Sequence, residues 1–141
     1  MSAAVVFYSQ TGNTRDAAGL VEQGLAAKGP HADLIEAAEF GPEMVADYDR
    51  FAFGCPASGS EELEASTFQP MWEAVRGPLA ESGKPVALFG TWGWGEGEYL
   101  EEWEADAKAA GVDVVGVVSC EGDPDDEASA QLVELGEKLA S

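Results

Sequence analysis

The sequence predicts an α/β fold: a doubly wound, five-stranded parallel sheet in the order 2-1-3-4-5, with helices on both faces. Three observations point there. Apolar β-branched runs alternate with amphipathic stretches of about 10 to 15 residues, the pattern of strand–helix–strand units. Lys28-Gly29-Pro30, Ser82-Gly83-Lys84-Pro85 and Ala110-Gly111 stand where helices should stop. The first apolar run, Ala3-Ala4-Val5-Val6-Phe7, breaks directly into a hydroxyl-rich turn that opens a helix.

In chain order, Ala3–Tyr8 reads as a strand buried on both faces, and Thr14–Lys28 as the helix closed by Gly29-Pro30. Ala32–Ile35 is a short second strand. Glu39–Asp49 is less regular, with room for one helical turn. Phe51–Gly54 forms the third strand and Thr67–Ser82 the second helix. Val86–Gly90 is the fourth strand, followed by a helix over Tyr99–Ala110. Val112–Ser119 and Asp126–Ala140 complete the alternation as fifth strand and last helix. With no internal repeat, linker or low-complexity tract, residues 1–141 are expected to form one domain.

Composition bounds the function. Apolar residues make up 45% of the chain, as in a globular protein, and no apolar run approaches the roughly 20 residues of a membrane span. The N-terminus enters a strand with no basic segment or cleavage site, so a cytoplasmic protein is expected. Seven basic against 27 acidic residues give a net charge of −20. That excludes nucleic acid, whose phosphates need a basic stripe, and argues against an anionic membrane surface. Such a field attracts basic protein surfaces; it equally serves solubility in a salt-rich cell. Cys55 and Cys120 end apolar runs and read as reduced, largely buried thiols. No His/Cys cluster could hold a metal, and His31, beside Gly29-Pro30, reads as an exposed turn residue.

In the 2-1-3-4-5 order, ligands lie beyond the carboxyl ends of strands 1 and 3. Three loops there are unusual. The first is Tyr8-Ser9-Gln10-Thr11-Gly12-Asn13-Thr14. Its hydroxyls, with the free N–H groups of the following helix, suit a phosphate. It is neither a Gly-Lys-Ser/Thr phosphate loop nor a G-x-G-x-x-G turn, and alone it also fits an ordinary N-capped turn. The second runs from Gly54-Cys55-Pro56-Ala57-Ser58-Gly59 to Ser60-Glu61-Glu62-Leu63-Glu64, where Gly59 permits a cheap peptide flip. The third, Gly90-Thr91-Trp92-Gly93-Trp94-Gly95-Glu96-Gly97, exposes two indoles unless they cover a flat ring, although Trp92 also fits a core position.

Ser-x-Thr-Gly-Asn-Thr after strand 1 resembles the phosphate loop of flavodoxins. Gly54-Cys55-x-Ala57-x-Gly59-x-Glu61-x-Leu63-Glu64 with Phe68-x-Pro70, and Ala87-Leu88-Phe89-Gly90-x-x-Gly93-Trp94-Gly95-x-Gly97, resemble the other two loops of the short-chain members, particularly those of anaerobic bacteria. The uninterrupted fifth strand is similar too. The resemblance implies an FMN phosphate held by Ser9, Thr11, Asn13 and Thr14, with the N–H groups from Gln10 through Gly12 to Thr14. Trp94 would stack on the outer ring face, and Gly93 and Gly95 would reach the pyrimidine edge. Glu61 would bind the flavin N3–H, and the Ser58-Gly59 peptide would turn its carbonyl to N5–H on one-electron reduction, stabilising a neutral semiquinone. Ala57, Ser60, Thr91 and Trp92 complete the implied contacts. Pro56 stands where some relatives carry a hydroxyl, and Ser58 replaces a bulkier apolar residue over the inner ring face; Arg15 is expected in solvent.

The implied function is low-potential electron transfer on non-covalently bound FMN, cycling mainly between semiquinone and hydroquinone, without substrate turnover. The alternative is a flavodoxin-like NAD(P)H-dependent quinone or FMN reductase, against which Trp94 on the ring face argues. A receiver domain lacks its acidic cluster and Lys here, and a small cysteine phosphatase lacks its Arg between Cys55 and Glu64. Implied partners are redox proteins with basic docking surfaces, such as flavodoxin or ferredoxin reductases and low-potential oxidoreductases, acting on a monomer. Glu61, Glu62, Glu64, Glu96, Glu98, Glu101 and Glu102 would surround the reduced flavin. A unit charge about 10 Å away costs roughly 1.7 kcal/mol at an effective dielectric of about 20, so each could lower the potential by tens of millivolts before solvent screening.

Overall fold

The computed structural model describes residues 2–8, 13–29, 31–56, 67–92, 98–121 and 125–140. In order these are β1 (Ser2–Phe7), α1 (Asn13–Ala27), β2 (His31–Glu36), two 3-10 turns (Ala37–Glu39 and Pro42–Asp47), β3 (Arg50–Pro56), α2 (Phe68–Ser82), β4 (Pro85–Trp92), α3 (Glu98–Ala110), β5 (Asp113–Glu121) and α4 (Asp126–Ala140). The strands form one parallel sheet in the order β2-β1-β3-β4-β5, as the sequence predicts.

Helix limits agree with expectation to within one residue at each end. β1 is shifted by one residue and β2 to β5 run longer, and the difference matters for the site. Pro56, Thr91 and Trp92, read from sequence as loop, lie on β3 and β4, with Pro56 opposite Thr91 and Thr91 opposite Cys120. Backbone pairing continues past the point where side chains turn polar, because the ladder needs only N–H and C=O groups. The Glu39–Asp49 region holds the whole of the second 3-10 element, Pro42–Asp47, and the last residue of the first, rather than a single helical turn. His31 is exposed as expected but starts β2, with Nε2 2.7 Å from Asp33 Oδ1. On edge strand β5 the register slips between Val114 and Gly116, leaving Val115 as an extra residue.

Strand residues alternate between two cores. Ala3, Val5 and Phe7 of β1 pack with Ala52, Ala87 and Phe89 against α1 and α4. Ala4 and Val6 face the opposite way, toward Phe51, Phe53, Val86, Leu88 and the apolar stripes of α2 and α3. Hence β1 is a continuous apolar run: neither face meets water. Helices α1 and α4 approach very closely, because a Cβ on Gly24 would collide with the Val133 carbonyl and one on Gly136 with that of Val21. Gly83 ends α2 with φ +68°, the left-handed geometry that glycine adopts without a Cβ clash.

On the other face, α2 and α3 are pinned together by one carboxylate. Asp106 accepts a 3.0 Å hydrogen bond from Trp72 Nε1 and two, at 2.8 and 2.9 Å, from Arg76 Nη1. Trp72 in turn stands edge-on to Phe53 and Trp103, with ring centroids 5.4 and 5.6 Å away. Burial is the largest influence on the Asp106 carboxyl and pushes its pKa up. The hydrogen bonds from Trp72 and Arg76 and the guanidinium charge together outweigh burial and hold it below the ordinary value of 3.8.

A lowered folded-state pKa means that Asp106 stabilises the protein above its unfolded value, and that this contribution fades as pH falls through the folded value below 3.8. Both partners of the ion pair are partly exposed, which keeps the charge contribution below about 1 kcal/mol. Asp106→Asn should lower the urea midpoint slightly at pH 7 and leave it equal to the parent near pH 2. A gap that persists undiminished in acid would assign the effect to packing instead.

Candidate functional site at the carboxyl edge of the sheet

A parallel sheet carries the carboxyl ends of all its strands on one edge. After β1 the chain passes to α1 on one face, and after β3 to α2 on the other, so a crevice opens between the two exits. Just beneath it, Tyr8 donates its backbone N–H to the Gly54 carbonyl at 3.0 Å, keeping β1 and β3 paired to their tips.

Two buried polar side chains meet at this edge. Thr14, in the first turn of α1, is 1% exposed, and Thr91, near the end of β4, is 4% exposed. Their hydroxyl oxygens are 2.8 Å apart. One hydroxyl hydrogen is used between them, which leaves one to donate to a further acceptor. The first N–H groups of the 15-residue helix α1 emerge at the same point with the positive end of its dipole. Hydroxyl and N–H donors, without a metal, fit the phosphate of a nucleotide cofactor. Among the described residues, no group of three or more His, Cys, Asp or Glu could hold a metal ion.

The ends of β3 and β4 are tied together by Tyr99, which is 2% exposed at the start of α3. Its hydroxyl lies 2.7 Å from the Cys55 carbonyl oxygen and 3.1 Å from that of Thr91. Cys55 pairs with Gly90 across the ladder, and a Cβ on Gly90 would collide with the Tyr99 hydroxyl. Cys55 itself is buried, as expected. Cys120 lies on β5, with only its backbone among the described positions.

Of the residues expected to contact a cofactor, Thr14 and Thr91 are thus brought together. The backbones of Asn13, Pro56 and Trp92 lie at the tips of α1, β3 and β4. Ser9, Gln10, Thr11 and Gly12, then Ala57, Ser58, Gly59, Ser60 and Glu61, and finally Gly93, Trp94 and Gly95 lie outside the described residues. So do Glu62, Glu64 and Glu96, whereas Glu101 and Glu102 are exposed on α3. Arg15 is exposed, as expected. Sequence reasoning missed Tyr99; its one signal was a large aromatic with a polar tip in the first helical turn after the tryptophan loop.

Thr91→Val keeps the β-branched shape but strands the buried Thr14 hydroxyl, and should destabilise the FMN-free protein by about 1–3 kcal/mol in urea unfolding. The double variant Thr14→Val with Thr91→Val should recover part of that loss, since no unpaired hydroxyl remains. Strictly additive losses would show that the two side chains do not interact.

The flavodoxin family model matches residues 5–136. The flavodoxin of Megasphaera elsdenii is 35% identical over 136 residues, covering 96% of each chain, and that of Clostridium beijerinckii is 34% identical over 137 residues, covering 97% of this chain and 98% of the other. The solution structure of two-electron reduced Megasphaera elsdenii flavodoxin superposes with a TM-score of 0.90, covering 98% of each chain. Family membership favours the carrier reading over the reductase alternative. No helix among the described residues is long and apolar enough to cross a membrane. The chain belongs to the flavodoxin family: it carries electrons between redox proteins on bound FMN and turns over no substrate of its own.

Proposed function

We propose that residues 1–141 form a single cytoplasmic, monomeric domain that works as a low-potential carrier, with its FMN held non-covalently by the three loops at the carboxyl edge. Bound FMN supplies redox chemistry in two one-electron steps. The residues of the chain bind and tune it. Ser9, Thr11, Asn13 and Thr14, with the N–H groups from Gln10 through Gly12, take the phosphate. Trp94 covers the outer ring face, with Gly93 and Gly95 beside the pyrimidine and Trp92 toward the inner face. Thr91, Pro56, Ala57, Ser60 and Glu61 line the edge, and the Ser58-Gly59 peptide faces the ring nitrogen that takes up a proton. The observation that carries this reading is the buried Thr14–Thr91 hydroxyl pair beside the α1 N-terminus, at the crevice where the fold binds ligands.

Charge gives the reading its second support. A net charge of −20, with Glu101 and Glu102 exposed on α3, disfavours adding negative charge to the flavin and attracts partners with basic surfaces. Reductases of the NADP type and low-potential oxidoreductases fit that description.

The purified protein should be yellow. Trp94→Ala should raise the FMN dissociation constant about tenfold, equivalent to roughly 1.4 kcal/mol of lost stacking, in fluorescence measurements of flavin release from the diluted holoprotein. An unchanged dissociation constant would remove Trp94 from the site, and a colourless protein that takes up no added FMN would refute the assignment.

A further inference from the structure

Tyr99 has a geometry that its helix does not require. Its hydroxyl reaches from the α2–α3 face to the end of the sheet and lies within hydrogen-bond distance of two carbonyl oxygens on neighbouring strands, Cys55 at 2.7 Å and Thr91 at 3.1 Å. A phenol has one hydrogen, so one donor is shared between two acceptors, and it bridges the two strands at the last pairs of their ladder, Cys55–Gly90 and Pro56–Thr91. The sequence leaves room for it: any side chain on Gly90, the ladder partner of Cys55, would push the hydroxyl away.

Those two carbonyls stand at the ends of the strands that lead into the two segments assigned to the flavin ring. Cys55 precedes the loop that begins at Ala57, and Thr91 precedes the loop that carries Trp94. The Thr91 side chain is in turn bonded to Thr14, in the helix that receives the phosphate loop. One residue therefore connects the stems of both ring-facing loops, and through Thr91 reaches the phosphate wall. The element that carries it is tied to α2, where Asp106 on α3 accepts hydrogen bonds from Trp72 and Arg76.

We propose that Tyr99 is a positioning residue for electron transfer, its hydroxyl fixing the separation of the β3 and β4 loop stems and thereby FMN affinity and the first one-electron potential. The proposal rests on the three-loop FMN site described above. The role assigned to Tyr99 runs through the Cys55 and Thr91 carbonyls, both within hydrogen-bond distance of its hydroxyl. A residue that only filled the core would affect stability and leave the potential alone.

The test is Tyr99→Phe, which removes one oxygen and keeps the ring. In the FMN-loaded protein, FMN release on dilution and both one-electron midpoint potentials are measured, with urea unfolding alongside. The dissociation constant should rise about tenfold and the equilibrium of the first electron step should change about tenfold, equivalent to about 59 mV. Gly90→Ala, which displaces the hydroxyl from the other side, should move both quantities in the same direction. Unchanged potentials and affinity in Tyr99→Phe would overturn the proposal, as would a loss of stability with the first potential unmoved. Trp94→Ala separates the two failures. If it weakens FMN binding while Tyr99→Phe does nothing, the positioning role alone is wrong. If neither variant affects binding, the three-loop site itself is wrong.

Discussion

A parallel sheet delivers every strand's carboxyl end to one edge, and the chain's exit to opposite faces after β1 and β3 opens that edge into a crevice. Everything that acts in this chain depends on keeping the crevice shaped. Backbone pairing alone cannot do so, because the ladder ends at the tips. Three side-chain contacts take over: Thr14 to Thr91, Tyr99 to Cys55 and Tyr99 to Thr91, all buried. In a low-dielectric setting such polar contacts are costly to leave unmade, so each constrains its neighbours strongly. Thr91 belongs to two of them, with its hydroxyl facing α1 and its carbonyl facing α3.

The same edge concentrates the electrostatic problem. The α1 N-terminus and its hydroxyls favour an anion, while a net charge of −20 over 141 residues opposes further negative charge. A phosphate anchor paired with a disfavoured reduced ring is the combination a low-potential flavin carrier needs. The Thr14–Thr91 contact joins the start of α1 directly to the end of β4.

Much of the fold was legible because its signals are local. Strand β1 reads from a run of buried residues, α1 to α3 from their glycine exits, and the strand order from the alternation of elements. Thr14 and Thr91 were each legible as site residues from the loops they adjoin, but their contact was not, since 77 residues separate them. Tyr99 was invisible for a related reason. Its acceptors are backbone carbonyls, which leave no trace in the identity of Cys55 or Thr91. Pro56, Thr91 and Trp92 were placed in loops because polarity and proline suggested an ending, whereas pairing between backbones carried the strands through them. The extra residue at Val115 follows from registering β5 against β4 over Val86–Ala87, which no single strand records.

The central claim is that one FMN lies across the tips of β1, β3 and β4. Nuclear Overhauser contacts between flavin protons and backbone amides in the FMN-loaded protein test it most directly. The account predicts ring contacts to the loops at 57–61 and 93–95, and ribityl contacts to the loop at 9–14. Contacts instead to the cleft between β5 and α4, lined by Gly116, Val118, Gln131 and Lys138, would contradict it.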